Sequence, residues 1–130
     1  MRILIIEDQQ YVLSLLADAV RMQGHEVIVA GGGKEGLDLI DREHPDAVFL
    51  DIVMPELDGV EVLRRIRQRL PELPVVVISG GASAEQREDL RCLGVTDFVE
   101  KPLLLAQIQQ TLSNVVRLSR RGRGQDQEGR

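Results

Sequence analysis

The apolar positions along this chain fall into two repeating patterns. Short continuous runs, "RILII" (2–6), "EVIVA" (26–30), "DAVFL" (46–50), "PVVVIS" (74–79) and "TDFVE" (96–100), are β-branched or aliphatic and read as buried strands. Between them, apolar residues recur at helical spacing. Val12, Leu13, Leu15, Leu16, Ala19 and Val20 do so within residues 9–23, which end at the helix-stopping Gly24. Leu37 and Ile40 share a face within 34–43. Val60, Leu63 and Ile66 share one within 59–70, with Arg64, Arg65, Arg67 and Arg69 opposite as a solvated surface. "SAEQ" (83–86) is a capping box and opens a fourth helix. Residues 103–118 read as the fifth; its start is ill-defined, because "LLLAQ" follows Pro102 where a polar N-cap is usual.

Apolar strands alternating with amphipathic helices predict an α/β fold, a parallel sheet covered on both faces. The expected form is a doubly wound, flavodoxin-like (βα)5 unit with strand order 2-1-3-4-5 and right-handed crossovers. A chain of 130 residues suits one such domain, here 1–118. The polar tail 119–130 reads as disordered from about residue 120, or as the start of a linker.

Composition narrows the function. Apolar residues make up 43 %, charged residues 28 % and aromatics 2 %, so aliphatic side chains fill the core of an ordinary globular protein. A net charge of −5 argues against a nucleic-acid-binding body. The lone Cys92 allows no intrachain disulfide and fits a reducing cytoplasm; it reads as a small apolar helix residue. "MRILIIEDQQ" is not patterned as a signal peptide, and no apolar run is long enough to span a membrane.

In such sheets, sites lie beyond the carboxyl ends of the strands. Those ends carry Glu7-Asp8, Asp51, Ser79 before Gly80-Gly81, and Glu100-Lys101-Pro102. The topology gathers three carboxylates, a hydroxyl and an ammonium in one crevice. At about 4 Å and an effective dielectric near 20, each like-charge pair costs roughly 4 kcal/mol. The cluster therefore holds protons or a cation, and its hard oxygen ligands suit Mg²⁺. No His or Cys stands at a strand end to favour zinc. A carboxylate at the tip of the central strand, Asp51, can act as a nucleophile toward a phosphoryl donor. Lys101 and Ser79 are then suited to the phosphoryl oxygens, and the Val53 carbonyl to the metal. "GGGKEG" (31–36) lacks the P-loop pattern and reads as a turn; His25 and His44 lie at the far, amino ends of the strands and read as solvated loop residues.

The motifs "ILIIED" (3–8), "DAVFLDIVMPELDGVEVLRRIR" (46–67), "VVVISGG" (75–81) and "GVTDFVEKP" (94–102) together resemble the receiver domain of two-component response regulators, over residues 1 to about 117. The resemblance implies that Asp51 is the phosphoacceptor and that Asp8, Asp51 and the Val53 carbonyl ligate Mg²⁺, with Glu7 acting through a metal-bound water. It implies that Ser79 is the switch hydroxyl, Phe98 the switch aromatic and Lys101 the ammonium of the pattern, with a cis Lys101–Pro102 bond. Val53 and Gly81 stand where polar side chains often flank the hydrolytic water, which predicts slow self-dephosphorylation. The implied partners are a sensor histidine kinase or phosphotransfer protein, and a target or output domain read through the fourth helix, fifth strand and fifth helix. Homodimerisation stays open; neither membrane nor nucleic acid is expected to bind this domain directly.

Four functions compete. A phosphorylation-controlled switch, which is no enzyme beyond its own phosphorylation and dephosphorylation, has all its groups present. The alternative is a phosphorylation-independent interaction module, which usually lacks one of them. An aspartate-nucleophile phosphatase would carry an acid at position 53, where Val53 stands. A flavin carrier would need an anion loop where Glu7-Asp8 repel phosphate.

Overall fold

The computed structural model describes residues 1–128, with side chains through Ser119. Ten elements alternate: β1 (Arg2–Ile6), α1 (Gln10–Met22), β2 (Glu26–Ala30), α2 (Gly33–Glu43), β3 (Ala47–Asp51), α3 (Gly59–Arg69), β4 (Val75–Ser79), α4 (Ala84–Cys92), β5 (Asp97–Glu100) and α5 (Leu105–Glu128). The strands form one parallel sheet in the order β2-β1-β3-β4-β5, as the strand–helix alternation predicts. Every residue of β3 and β4 is buried, whereas the edge strands β2 and β5 are partly exposed. This explains why the central runs are continuously apolar and β5 carries Asp97 and Glu100.

Alternation divides the core in two. Leu4, Ile6, Val48, Leu50, Val75 and Val77 face α2, α3 and α4, meeting Leu37, Ile40, Leu63, Ile66 and Leu90. Ile3, Ile5, Phe49, Val76, Ile78 and Val99 face α1 and α5, meeting Leu13, Leu16, Val20, Ile108, Leu112 and Val115. α4 buries only Leu90. Its start is held locally, by the capping box in which Ser83 Oγ accepts from the Gln86 N–H while Gln86 Oε1 accepts from the Ser83 N–H.

The other end of α4 is held by Arg67, which is not part of a solvated arginine face. Arg64, Arg65 and Arg69 are exposed and pair with Glu61 or Asp41. Arg67 instead turns inward, and its guanidinium donates to Leu93 O (2.6 Å), Gly94 O (3.0 Å) and Leu70 O (2.9 Å). One planar fork thus ties the end of α3 to the α4–β5 turn. Arg67→Ala should cost about 1–2 kcal/mol, read as a lower urea midpoint, and Arg67→Lys should recover little of it. An unchanged midpoint in Arg67→Ala would refute the clamp.

Three expectations are corrected. α5 does not end at residue 118 but continues through Glu128, over most of the segment expected to be disordered; residues 129 and 130 lie outside the described residues. No proline interrupts this stretch, and Arg, Gln and Glu favour a helix. Cys92, the last residue of α4, is exposed, not packed as a small apolar residue, because α4 meets the core through Leu90 alone. His44 is exposed as expected, but His25 is partly buried, its Nδ1 3.2 Å from the N-terminal amine.

Candidate functional site

The carboxyl edge of the sheet brings most of the candidate residues together. The register pairs Ile6 with Leu50, so the next residues, Glu7 and Asp51, stand level at the ends of adjacent strands. Asp51 is 1 % exposed and Glu7 fully buried. Ligand oxygens of Glu7, Asp8 and Asp51 all lie within 4.8 Å of one another. Lys101, the first residue past β5, places its ammonium 3.2 Å from Asp51 Oδ2 and 3.7 Å from Glu7 Oε1. The Lys101–Pro102 peptide is cis. The Val53 N–H donates to Asp51 Oδ1 (3.0 Å), and the Gln9 N–H donates to Glu7 Oε1 (3.1 Å).

This arrangement is electrostatically unbalanced: three carboxylates face one ammonium. Burial, then the hydrogen bond and charge of Asp51, push the Glu7 carboxyl up to about 7. Two buried oxygens, Glu7 Oε2 and Asp8 Oδ1, have no hydrogen-bond partner among the described residues. Orphaned buried carboxylate oxygens are costly unless something else satisfies them. An all-oxygen set of this size fits a hard divalent cation such as Mg²⁺ and lacks the nitrogen or sulfur that would favour zinc.

A pH dependence follows. The folded protein binds the Glu7 proton up to about pH 7, whereas an unfolded chain releases it near 4.5. The native state then holds more protons between these values, so stability falls as pH rises through that window. Without divalent cations, unfolding free energy at pH 8 should lie below that at pH 5.5 by roughly 1–3 kcal/mol. Millimolar Mg²⁺ should remove most of the difference. Equal urea midpoints at the two pH values, with EDTA present, would contradict this reading.

Ser79 and Phe98 lie apart from the carboxylates. By the strand alternation, Glu7, Asp51 and Lys101 share the α1/α5 side of the sheet, whereas Ser79 and Phe98 share the α2–α4 side. Ser79 Oγ accepts hydrogen bonds from the Gly81 (3.2 Å) and Ala82 (2.8 Å) N–H groups, holding the loop that leads into α4. Phe98 packs at the edge of the core and lines a shallow cavity of about 420 Å³ with Arg87, Glu100, Lys101 and Leu104.

Some site features escaped the sequence reading. Glu100, although at a strand end, does not join the acidic cluster but pairs with Arg87 of α4. Gln9 reaches Lys101 Nζ with its side chain at 3.5 Å; its place beside Glu7-Asp8 was the only signal. The "GGGKEG" segment (31–36) is the expected turn only at Gly31 and Gly32; Gly33–Gly36 already form the first turn of α2, and the Gly31 N–H donates to Glu35 Oε2.

Comparison with known proteins agrees with this geometry. Residues 3–113 match the family model described as the response regulator receiver domain. The response regulator MprA of Mycolicibacterium vanbaalenii is 36 % identical over 116 residues, covering 89 % of this chain and 50 % of the relative. MprA of Mycobacterium sp. strain KMS is 34 % identical over 125 residues, covering 96 % and 54 %. The chain therefore spans about half the length of these relatives. Among solved structures, the receiver domain of NtrX from Brucella abortus superposes with a TM-score of 0.82 at 33 % identity, covering 88 % of this chain and 98 % of that one. A CheY-like receiver domain protein from Methanospirillum hungatei superposes at 0.86 with 24 % identity, over 92 % and 97 %, which supports the fold alone. With matched motifs, sheet order and strand-end residues all in place, this chain belongs to the receiver domains of two-component response regulators.

Proposed function

We propose that this domain is a Mg²⁺-dependent phosphoryl acceptor whose acceptor is Asp51. The observation that carries the reading is the buried Asp51 carboxylate, 3.2 Å from the Lys101 ammonium and beside two carboxylates with orphaned oxygens. The donor is a phosphohistidine on a sensor kinase or a phosphotransfer protein. An Asp51 oxygen attacks phosphorus, the P–N bond breaks, and its electron pair leaves with the imidazole. Lys101 neutralises charge on the phosphoryl oxygens. Glu7, Asp8, Asp51 and the Val53 carbonyl would hold Mg²⁺, which supplies charge neutralisation at the phosphoryl group.

The phosphoryl group then draws on Ser79, and Phe98 follows on the same side of the sheet. α4, which buries one residue, repositions, and the α4–β5–α5 face presents the change to an output domain or target protein. The domain is a switch that assists only its own phosphorylation and dephosphorylation. It works in the cytoplasm; no described helix is long and apolar enough to cross a membrane.

Incubation with acetyl phosphate, with and without Mg²⁺, tests the reading by intact mass. A Mg²⁺-dependent gain of one phosphoryl group is expected. No gain, despite Mg²⁺ binding, would favour the phosphorylation-independent interaction module. The phosphoprotein, once isolated, should lose its label slowly. The exposed side chain of Val53 is apolar and Gly81 has none, so neither can orient an attacking water. A label that decays within seconds would rule this out.

A further inference from the structure

We infer that Gly59 is a positioning residue for phosphoryl transfer: its missing side chain lets α3 seat directly against the main chain that carries Asp51. This rests on Asp51 being the acceptor. Gly59 is the first residue of α3, and its φ is not in the left-handed region. Space, not backbone conformation, therefore demands glycine here. A Cβ at this position would stand 2.3 Å from Ile52 Cα, 2.7 Å from Asp51 O and 3.0 Å from Ile52 C. These are main-chain atoms, so no rotamer change can relieve the clash.

Both sides of this contact are fixed. The strand end is held by the Ile52 N–H donating to Ile78 O (3.2 Å). α3 is held by its buried Val60, Leu63 and Ile66, and by Asp58, whose Oδ1 accepts from the Val60 N–H (2.8 Å). A third bond joins the two, from the Gly59 N–H to Ile52 O (3.2 Å). The helix start thus sets how far the Asp51 carboxylate projects from the sheet edge, and where the main chain runs on to Val53. Clearing the clash requires a shift of about 1 Å, whereas reacting groups tolerate only about 0.5 Å.

Other close glycines differ in kind. A Cβ on Gly33 would meet Val62 Cγ2 at 2.6 Å and Leu57 side-chain atoms at 3.2–3.3 Å. That clash falls on side chains of α3 and its preceding loop, away from the β3 main chain. Gly33→Ala therefore loses stability without moving the acceptor, and serves as the matched control.

The test is labelling by acetyl phosphate in saturating Mg²⁺, alongside urea midpoints, for wild type, Gly59→Ala and Gly33→Ala. Gly59→Ala is expected to lower the maximal labelling rate at least tenfold, with little change in the half-saturating acetyl phosphate concentration. Gly33→Ala should keep a rate within about twofold of wild type at a comparable loss of stability. A wild-type rate in folded Gly59→Ala overturns the inference, as does an equal rate loss in Gly33→Ala. If wild type itself takes no label, the acceptor reading fails instead. Should Gly59→Ala not fold, Asp58→Ala decides: it frees the same helix start without a clash. A several-fold loss of rate supports the seat, and an unchanged rate overturns it.

Discussion

An Asp51→Asn variant should take no phosphoryl group from acetyl phosphate, yet resist urea better than wild type. The first half follows from chemistry: an amide oxygen is no nucleophile toward phosphorus at neutral pH, and Asp51 is the carboxylate paired most closely with the ammonium. The second half follows from the charge balance. Asp51 attracts Lys101 at 3.2 Å but lies within 4.8 Å of both Glu7 and Asp8. At these separations each interaction has a magnitude of roughly 4 kcal/mol at an effective dielectric near 20, so two repulsions outweigh one attraction. Asp8 is partly exposed, so solvent screens its share of this, which leaves a net gain of about 1–2 kcal/mol for Asn at pH 8 without Mg²⁺. Added Mg²⁺ should stabilise wild type more than the variant and close the gap. Intact mass and paired urea titrations read both halves. A labelled Asp51→Asn would place the acceptor elsewhere, and a variant weaker than wild type in EDTA would mean that the cluster is not under repulsion.

The same residues show where sequence reading reaches its limit. Sheet order and the gathering of Glu7, Asp8, Asp51 and Lys101 were legible because each follows from local pattern plus topology: apolar runs end, and polar residues stand at the ends. Depth was not. Glu7 is fully buried while its neighbour Asp8 is partly exposed, a difference between adjacent acids that no local pattern encodes. Pairings between distant segments were equally hidden. Arg67 reaches carbonyls 26 and 27 residues further on, and Arg87 takes Glu100 away from the acidic cluster. Arg67 was read from its own helix alone, but its partners lie in the α4–β5 turn, and that of Arg87 lies on β5. The extension of α5 beyond residue 118 failed for a different reason: a polar stretch without an apolar stripe carries no periodic signal, although its residues tolerate a helix.

Ser79→Ala should separate phosphorylation from switching. The hydroxyl lies on the opposite side of the sheet from Asp51 and holds the α4 loop by accepting from two amides. A hydroxyl that accepts twice still has its proton to give, so an arriving phosphoryl group can draw Ser79, and the loop with it, toward Asp51. Nucleophile, ammonium and acidic cluster are untouched by the substitution, so labelling should stay within about threefold of wild type. The response should not. Driving a two-state equilibrium from 1:99 to 99:1 takes about 5.5 kcal/mol of preference, and one charge-assisted hydrogen bond contributes roughly 1.5–3 kcal/mol. Lys101 alone therefore falls short, and losing Ser79 shifts the phosphorylated equilibrium back by about 10- to 100-fold. Amide hydrogen exchange across 80–100, with and without label, measures this. Wild type should show a large phosphorylation-dependent change there. Ser79→Ala should show a small one, superimposed on faster exchange before labelling, because Gly81 and Ala82 have lost their acceptor. A variant that responds as fully as wild type would mean that Lys101, or a contact not yet formed in this state, carries the switch, and that the Ser79 hydroxyl merely shapes the loop.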